Sequence, residues 1–192
     1  MTLVERVKGI LGKPKEEWEK ISLEDNQQSA ILTGYLIPLA LIPAIASFIG
    51  YSFIGVLGVH SLTLGLKHAV ISLVSTIIGA YITAFIVDLL APGFSAQKNF
   101  NRAFALVVYA ATPQYVAGVL YIFPFLGIIV LLAAIYGLYL LYIGMKPMMK
   151  VSDDKHTIYF IISLIVVIAV YFVVSAILSA IFIGSMAMRG AL

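Results

Sequence analysis

Long apolar stretches alternate with short charged ones along the chain, at residues 30–50, 68–90, 103–121, 125–145 and 157–184. A helix rises about 1.5 Å per residue and a hydrocarbon core is about 30 Å thick, so roughly 20 apolar residues cross it. Each stretch meets or nearly meets that length. The pattern predicts an all-α membrane protein, a bundle of five transmembrane helices within residues 29–192, preceded by an amphipathic segment at residues 1–28. In that segment Leu3, Val7, Ile10 and Leu11 recur at helical spacing, opposite Glu5, Arg6 and Lys8. Gly12 ends this helix and Pro14 opens a second, where Trp18 and Ile21 share a face while Lys15, Glu16, Glu17 and Glu19 face water. Such helices lie in the membrane interface with the apolar face down and Trp18 as an interfacial anchor. A disordered amphiphilic tail is the alternative.

Proline and small residues punctuate the spans. Pro38 and Pro43 each remove a backbone donor from the first, which predicts a kink or local unwinding. Residues 51–66 are apolar for an external connection. Alternation from Leu62 to Leu66 suits a small hairpin, and a re-entrant or interfacial segment suits the composition equally well. The second span carries Ser72, Thr76, Ala80, Ala84 and Asp88 at every fourth position, flanked by Ser75, Gly79 and Thr83. Small residues so spaced let membrane helices approach closely, and packing within one molecule explains the stripe without an oligomer. Only Ile122–Pro124 separates the third and fourth spans, which must form an antiparallel pair.

Charge orients the bundle. Of 12 Lys and Arg residues, all except Lys67 and Arg189 fall on one side if the spans alternate. Cytoplasmic loops carry such an excess, so the N-terminus is expected inside and the C-terminus outside. The formal charge of +3 follows from this bias and not from a nucleic-acid surface. With 62% hydrophobic and 11% charged residues, no separate soluble domain fits. The first span is expected to act as the insertion signal, since no short cleavable apolar core precedes it. The absence of cysteine excludes disulfides, thiolate metal sites and thiol nucleophiles. His60, His68 and His156 are too scattered for a metal site, and no nucleophile elbow or phosphate loop is present. No enzyme and no cofactor are expected.

Polar residues inside the spans are the candidate functional groups. Asp88 is the one acidic residue within a span, placed at its last turn. It reads equally as an interfacial anion near Lys98 or Arg102 and as a functional group. Mid-way along the third span, Pro113 leaves the Tyr109 carbonyl without its usual donor, while Thr112 and Gln114 add polarity at the same depth. A packed kink with interhelical bonds is the first reading, and a substrate or ion site the second. Tyr136 lies deep in the fourth span and needs a partner or a cavity.

Tyr109-Ala-Ala-Thr-Pro113, Pro124-Phe-Leu-Gly127 and the tyrosine- and glycine-rich run from Ile135 to Met145 resemble the Ypt-interacting-protein (YIP) domain family, especially its prokaryotic branch. Pro14-x-x-x-Trp18 and Asp88-Leu-Leu-Ala-Pro-Gly-Phe94 are also similar, and the resemblance covers nearly the whole chain. It implies a five-helix bundle without catalysis, whose eukaryotic members interact with Rab-type GTPases and are linked to vesicle formation and membrane shape. Val108 stands where the family's Gly-Tyr-x-x-x-Pro motif has glycine. The eukaryotic acidic-aromatic signature and long cytosolic N-terminal domain are missing too, which counts against GTPase binding.

The expected function is a non-enzymatic scaffold in the cytoplasmic membrane of a prokaryote. Its expected partners are the bilayer, a second copy of the chain, or an unidentified membrane or cytosolic protein. The rival is a small channel or transporter with a midplane polar site near Tyr109, Thr112, Gln114 and Asp88.

Overall fold

The computed structural model describes the backbone of residues 2–56 and 58–190, with side chains through residue 170 and at Phe172. The chain is helical almost throughout. A hairpin of α1 (Leu3–Gly12) and α2 (Pro14–Leu23) precedes the long helices. Thr2 caps α1 through the Glu5 N–H while the Glu5 carboxylate accepts from the Thr2 N–H, and Pro14 stands in the first turn of α2, where no donor is needed.

Among the described residues, four helical stretches are long and apolar enough to cross a membrane: α3 (Gln28–Ile54), α4 (Leu62–Leu90, extended by a 3₁₀ turn to Phe94), a third over Phe100–Ile122, and a fourth over Pro124–Met149. The third is broken into α5 (Phe100–Ala110) and α6 (Thr112–Ala117), and the fourth consists mainly of α7 (Gly127–Met149). The expected fifth span, 157–184, falls within α8 (Asp153–Gly190), and its second half lies beyond residue 170, where of the side chains only Phe172 is described.

Each break has a local cause. Pro38 has no N–H for the Gly34 carbonyl, and the turn ahead of it, Leu32–Leu36, widens to π geometry. A second wide turn, Gly50–Ile54, ends α3. Among the described residues the connection at 51–66 forms no extended strand hairpin. It shrinks to a single bridge between Val56 and Val59, and the Ser61 hydroxyl caps α4 by accepting the Leu64 N–H. Leu62–Leu66 is therefore helical, since a helix satisfies each backbone group within its own segment.

The α5 helix is the centre of the bundle. Every residue from Ala103 to Ala110 is buried, with α4 on one side and α7 on another. By contrast Val70, Ile71, Val74 and Ile78 on α4 and Ile128, Leu131, Leu132 and Ile135 on α7 are exposed, apolar faces suited to lipid. At the opposite end from the hairpin, Gly50 lets α3 meet the turn after α6. A Cβ there would clash with the Tyr121 carbonyl oxygen.

The hairpin departs from expectation. It does not lie apolar face down on lipid: α2 packs on α7 and α1 reaches α6. Ile10, Trp18 and Ile21 are buried in the same core as α5, so their apolar stripe is satisfied by protein. Arg6 and Glu17, expected to face water, are buried as well.

Gly144 is the contact that admits Trp18, because a Cβ there would lie 2.5 Å from the indole Cε2. Gly144→Ala should therefore lift α2 off α7 and cost about 1–3 kcal/mol, read as a lower melting temperature in detergent. An unchanged melting temperature would show that the indole is free to move aside.

Candidate functional site at the bundle centre

Pro113 makes the break between α5 and α6 unavoidable, since no N–H is present to reach the Tyr109 carbonyl. The orphaned oxygen is recovered locally. Thr112 Oγ1 donates to it at 2.6 Å, and its own oxygen lies 2.8 Å from Tyr35 Oη. The threonine has one proton to give, so the Tyr35 hydroxyl must be the donor to it. A directed chain results, from Tyr35 of α3 through Thr112 to the Tyr109 carbonyl. Thr112 is fully buried.

The Tyr109 ring carries this junction to the hairpin. It meets Tyr35 edge-on at 4.7 Å between centroids and Trp18 at 6.5 Å, and the Arg6 guanidinium carbon lies 5.4 Å from its centre. Arg6 is clamped by two carboxylates. Nη1 donates to Glu17 Oε1 at 2.8 Å and Nη2 to both oxygens of Glu24, at 2.6 and 2.5 Å. Burial works against the charged guanidinium, but Glu24 and Glu17 prevail and hold its pKa above the ordinary value. The clamp matters because Glu17 is only 2% exposed and would be costly alone.

Beside the break lies a cavity of about 360 Å³ between α3, α4 and α6. Ser72, Ser75, Thr76 and Thr83 of α4 line it, with Gln114 of α6 and Tyr121 beyond. The small-residue stripe thus does two things: Ala80 and Ala84 are buried in helix packing, and its hydroxyls border a polar space. Gln114 is exposed, and among the described residues its amide makes no side-chain hydrogen bond. A more apolar cavity of about 310 Å³ lies toward α7 and α8 and shares Thr83 and Gln114 with the first.

Other sequence candidates sit elsewhere. Asp88 is 7% exposed and borders neither of these cavities. Its Oδ1 has no hydrogen-bond partner among the described residues, while the neighbouring Val87 carbonyl accepts from the Tyr159 hydroxyl at 2.5 Å. Arg102, one expected partner of Asp88, donates instead to the carbonyls of Met148 and Ser22 at 3.3 and 3.1 Å. Tyr136 finds its partner in the Leu11 carbonyl at 3.2 Å, the last turn of α1, and stacks on Tyr139. Trp18, read as a lipid anchor, is 1% exposed and buried against Gly144 and Tyr109. Its apolar body is matched by protein, which removes the reason for an indole to seek the interface.

Sequence reading missed Arg6, Glu17, Glu24 and Tyr35. A weak signal existed for the first pair, opposite charges on the two arms of a hairpin turning at Lys13. Nothing in the spacing pointed to Tyr35. Among the described residues no group of three His, Asp or Glu side chains could hold a metal ion.

Comparison with known proteins places these features. The family model described as Yip1 domain matches residues 8–186. Inner membrane protein YohC of Escherichia coli strain K12 is 24% identical over 157 residues, covering 77% of this chain and 80% of the relative. The same protein from Escherichia coli O6:H1 matches equally. No solved structure matches.

Three variants probe the junction. Arg6→Ala leaves buried Glu17 with only the exposed Lys20, at 3.4 Å, as a charged partner and should cost about 3 kcal/mol. Arg6→Met combined with Glu17→Leu should recover most of that loss, since Glu24 is 42% exposed and can be hydrated. Thermal unfolding of the two variants checks this. Thr112→Val keeps the shape but leaves the Tyr109 carbonyl and the Tyr35 hydroxyl unpaired, an expected loss of about 1–3 kcal/mol; equal stability of variant and parent would mean that water replaces the hydroxyl.

Proposed function

We propose a non-enzymatic role for this chain, which belongs to the Yip1 domain family: a membrane scaffold that organises lipid or a protein partner from the end bearing the α1–α2 hairpin. The observation that carries this reading is the packed junction at that end. Trp18 and Arg6 meet the Tyr109 ring between the hairpin and the break, beside a cavity of about 300 Å³ bordered by Arg6, Tyr35 and Tyr109, and Thr112 is engaged internally. A folded, charge-clamped hairpin held on the bundle is a rigid platform, and rigid presentation lowers the entropy cost of recruiting a partner.

The membrane is read as the cytoplasmic one, from the relative's description as an inner membrane protein. The hairpin end is read as cytosolic, with α8 as a fifth crossing and the C-terminus opposite. Contacts among the basic segments support one common end: Arg102 reaches the Ser22 carbonyl, Lys155 donates to Ser95 Oγ at 2.7 Å and Lys146 pairs with Asp153. The proposed partners are lipid, a second copy of the chain, or a membrane or cytosolic protein; a Rab-type GTPase is not among them.

The second reading, a small solute or ion passing or binding at mid-membrane, is favoured by the cavity that Gln114 and the α4 hydroxyls border. Proteoliposomes separate the two. The scaffold reading expects altered vesicle size or curvature by electron microscopy and no solute flux; unaltered vesicles together with no retained partner would sink it. The solute reading expects flux lost in Gln114→Leu and kept in Asp88→Asn, since Asp88 stands away from the cavity.

A further inference from the structure

The hairpin end holds another cavity, of about 750 Å³, between α2, the end of α7 and the start of α8. Three lysines border it: Lys15 from α2, Lys146 from the last turn of α7, and Lys150, which caps that helix in the left-handed region at φ 50°. Lys146 is occupied by Asp153 at 2.5 Å. Lys15 and Lys150 have no carboxylate within ion-pair distance among the described residues. Against the lysines stand two acids, Glu19 and Asp153.

A donor is also left over. Trp18 borders the same cavity, and its indole Nε1 is buried without an acceptor among the described residues. That donor is sealed against the protein, so the two free ammonium groups carry the argument: they call for an anion with several acceptor oxygens.

Depth narrows the choice. The 23 residues of α7 rise about 34 Å, so its last turn emerges at headgroup level. Toward the membrane interior from that turn, Leu138 and Tyr139 of α7 and Ile158 and Ile161 of α8 are exposed, an apolar face on which acyl chains can lie. A soluble anion has no use for that face.

We propose that this cavity binds the phosphate of an anionic phospholipid from the adjoining leaflet, with Lys15 and Lys150 as charge partners and the Trp18 side chain as part of its wall. The chain contains 1 tryptophan, so its fluorescence reports on the site directly. Detergent-solubilised full-length protein is titrated with short-chain phosphatidylglycerol, phosphatidylcholine and inorganic phosphate. A saturable change in Trp18 emission is expected with phosphatidylglycerol and not with phosphatidylcholine. Lys15→Gln with Lys150→Gln should raise the half-saturating concentration about tenfold or more. Glu19→Gln should lower it, a gain that misfolding cannot mimic. Equal responses to the two lipids, or a double variant that titrates like the parent, would overturn the proposal. Saturation by inorganic phosphate without preference for the lipid would overturn the lipid as the source of the anion.

Discussion

A hydrocarbon interior offers no hydrogen-bond partner, so each interruption of a helix inside it must be repaired by the protein itself. That constraint organises the bundle. Pro38 is accommodated by a widened turn, and Pro113 by the Thr112 hydroxyl, which takes over the carbonyl left bare on Tyr109. The second repair has consequences beyond its own turn. It fixes Thr112 inward, recruits Tyr35 from another helix and sets the Tyr109 ring where Trp18 and Arg6 can meet it. A local defect in the third span thus becomes the junction between the bundle and its N-terminal hairpin.

The hairpin brings charge into this apolar setting, and the charge is tolerated because it is closed on itself. One guanidinium meets two carboxylates, with the more buried carboxylate on one nitrogen and the partly hydrated one on the other. Such a clamp contributes little net stability against an apolar replacement, but it makes separation of the parts costly. It therefore specifies where the hairpin sits. The small residue Gly144 does the same work sterically, by giving the indole of Trp18 a place to lie.

Two of the spaces left in the bundle differ in chemistry. The mid-membrane cavity is bordered by hydroxyls and by Gln114, an amide beside the break that the repair does not use. The cavity at the hairpin end is bordered by lysines at headgroup depth. The first suits a small polar guest and the second an anion anchored in lipid. Membership of the Yip1 domain family, together with the likeness to an inner membrane protein, agrees with the long apolar helices of this chain.

Hydropathy along the chain was enough to locate four long membrane-competent helices, because the cost of moving each residue into lipid adds up locally and needs no knowledge of neighbours. The helix break followed from Pro113 for the same reason, its missing N–H being a property of one residue. What lay beyond local reading were the pairings across the fold. Arg6 lies 11 residues from Glu17 and Tyr35 lies 77 from Thr112, and whether such groups meet depends on how helices cross. Trp18 shows the limit most clearly. An indole on an amphipathic helix is equally content against lipid or against a glycine notch, and only the approach of α7 decides between them.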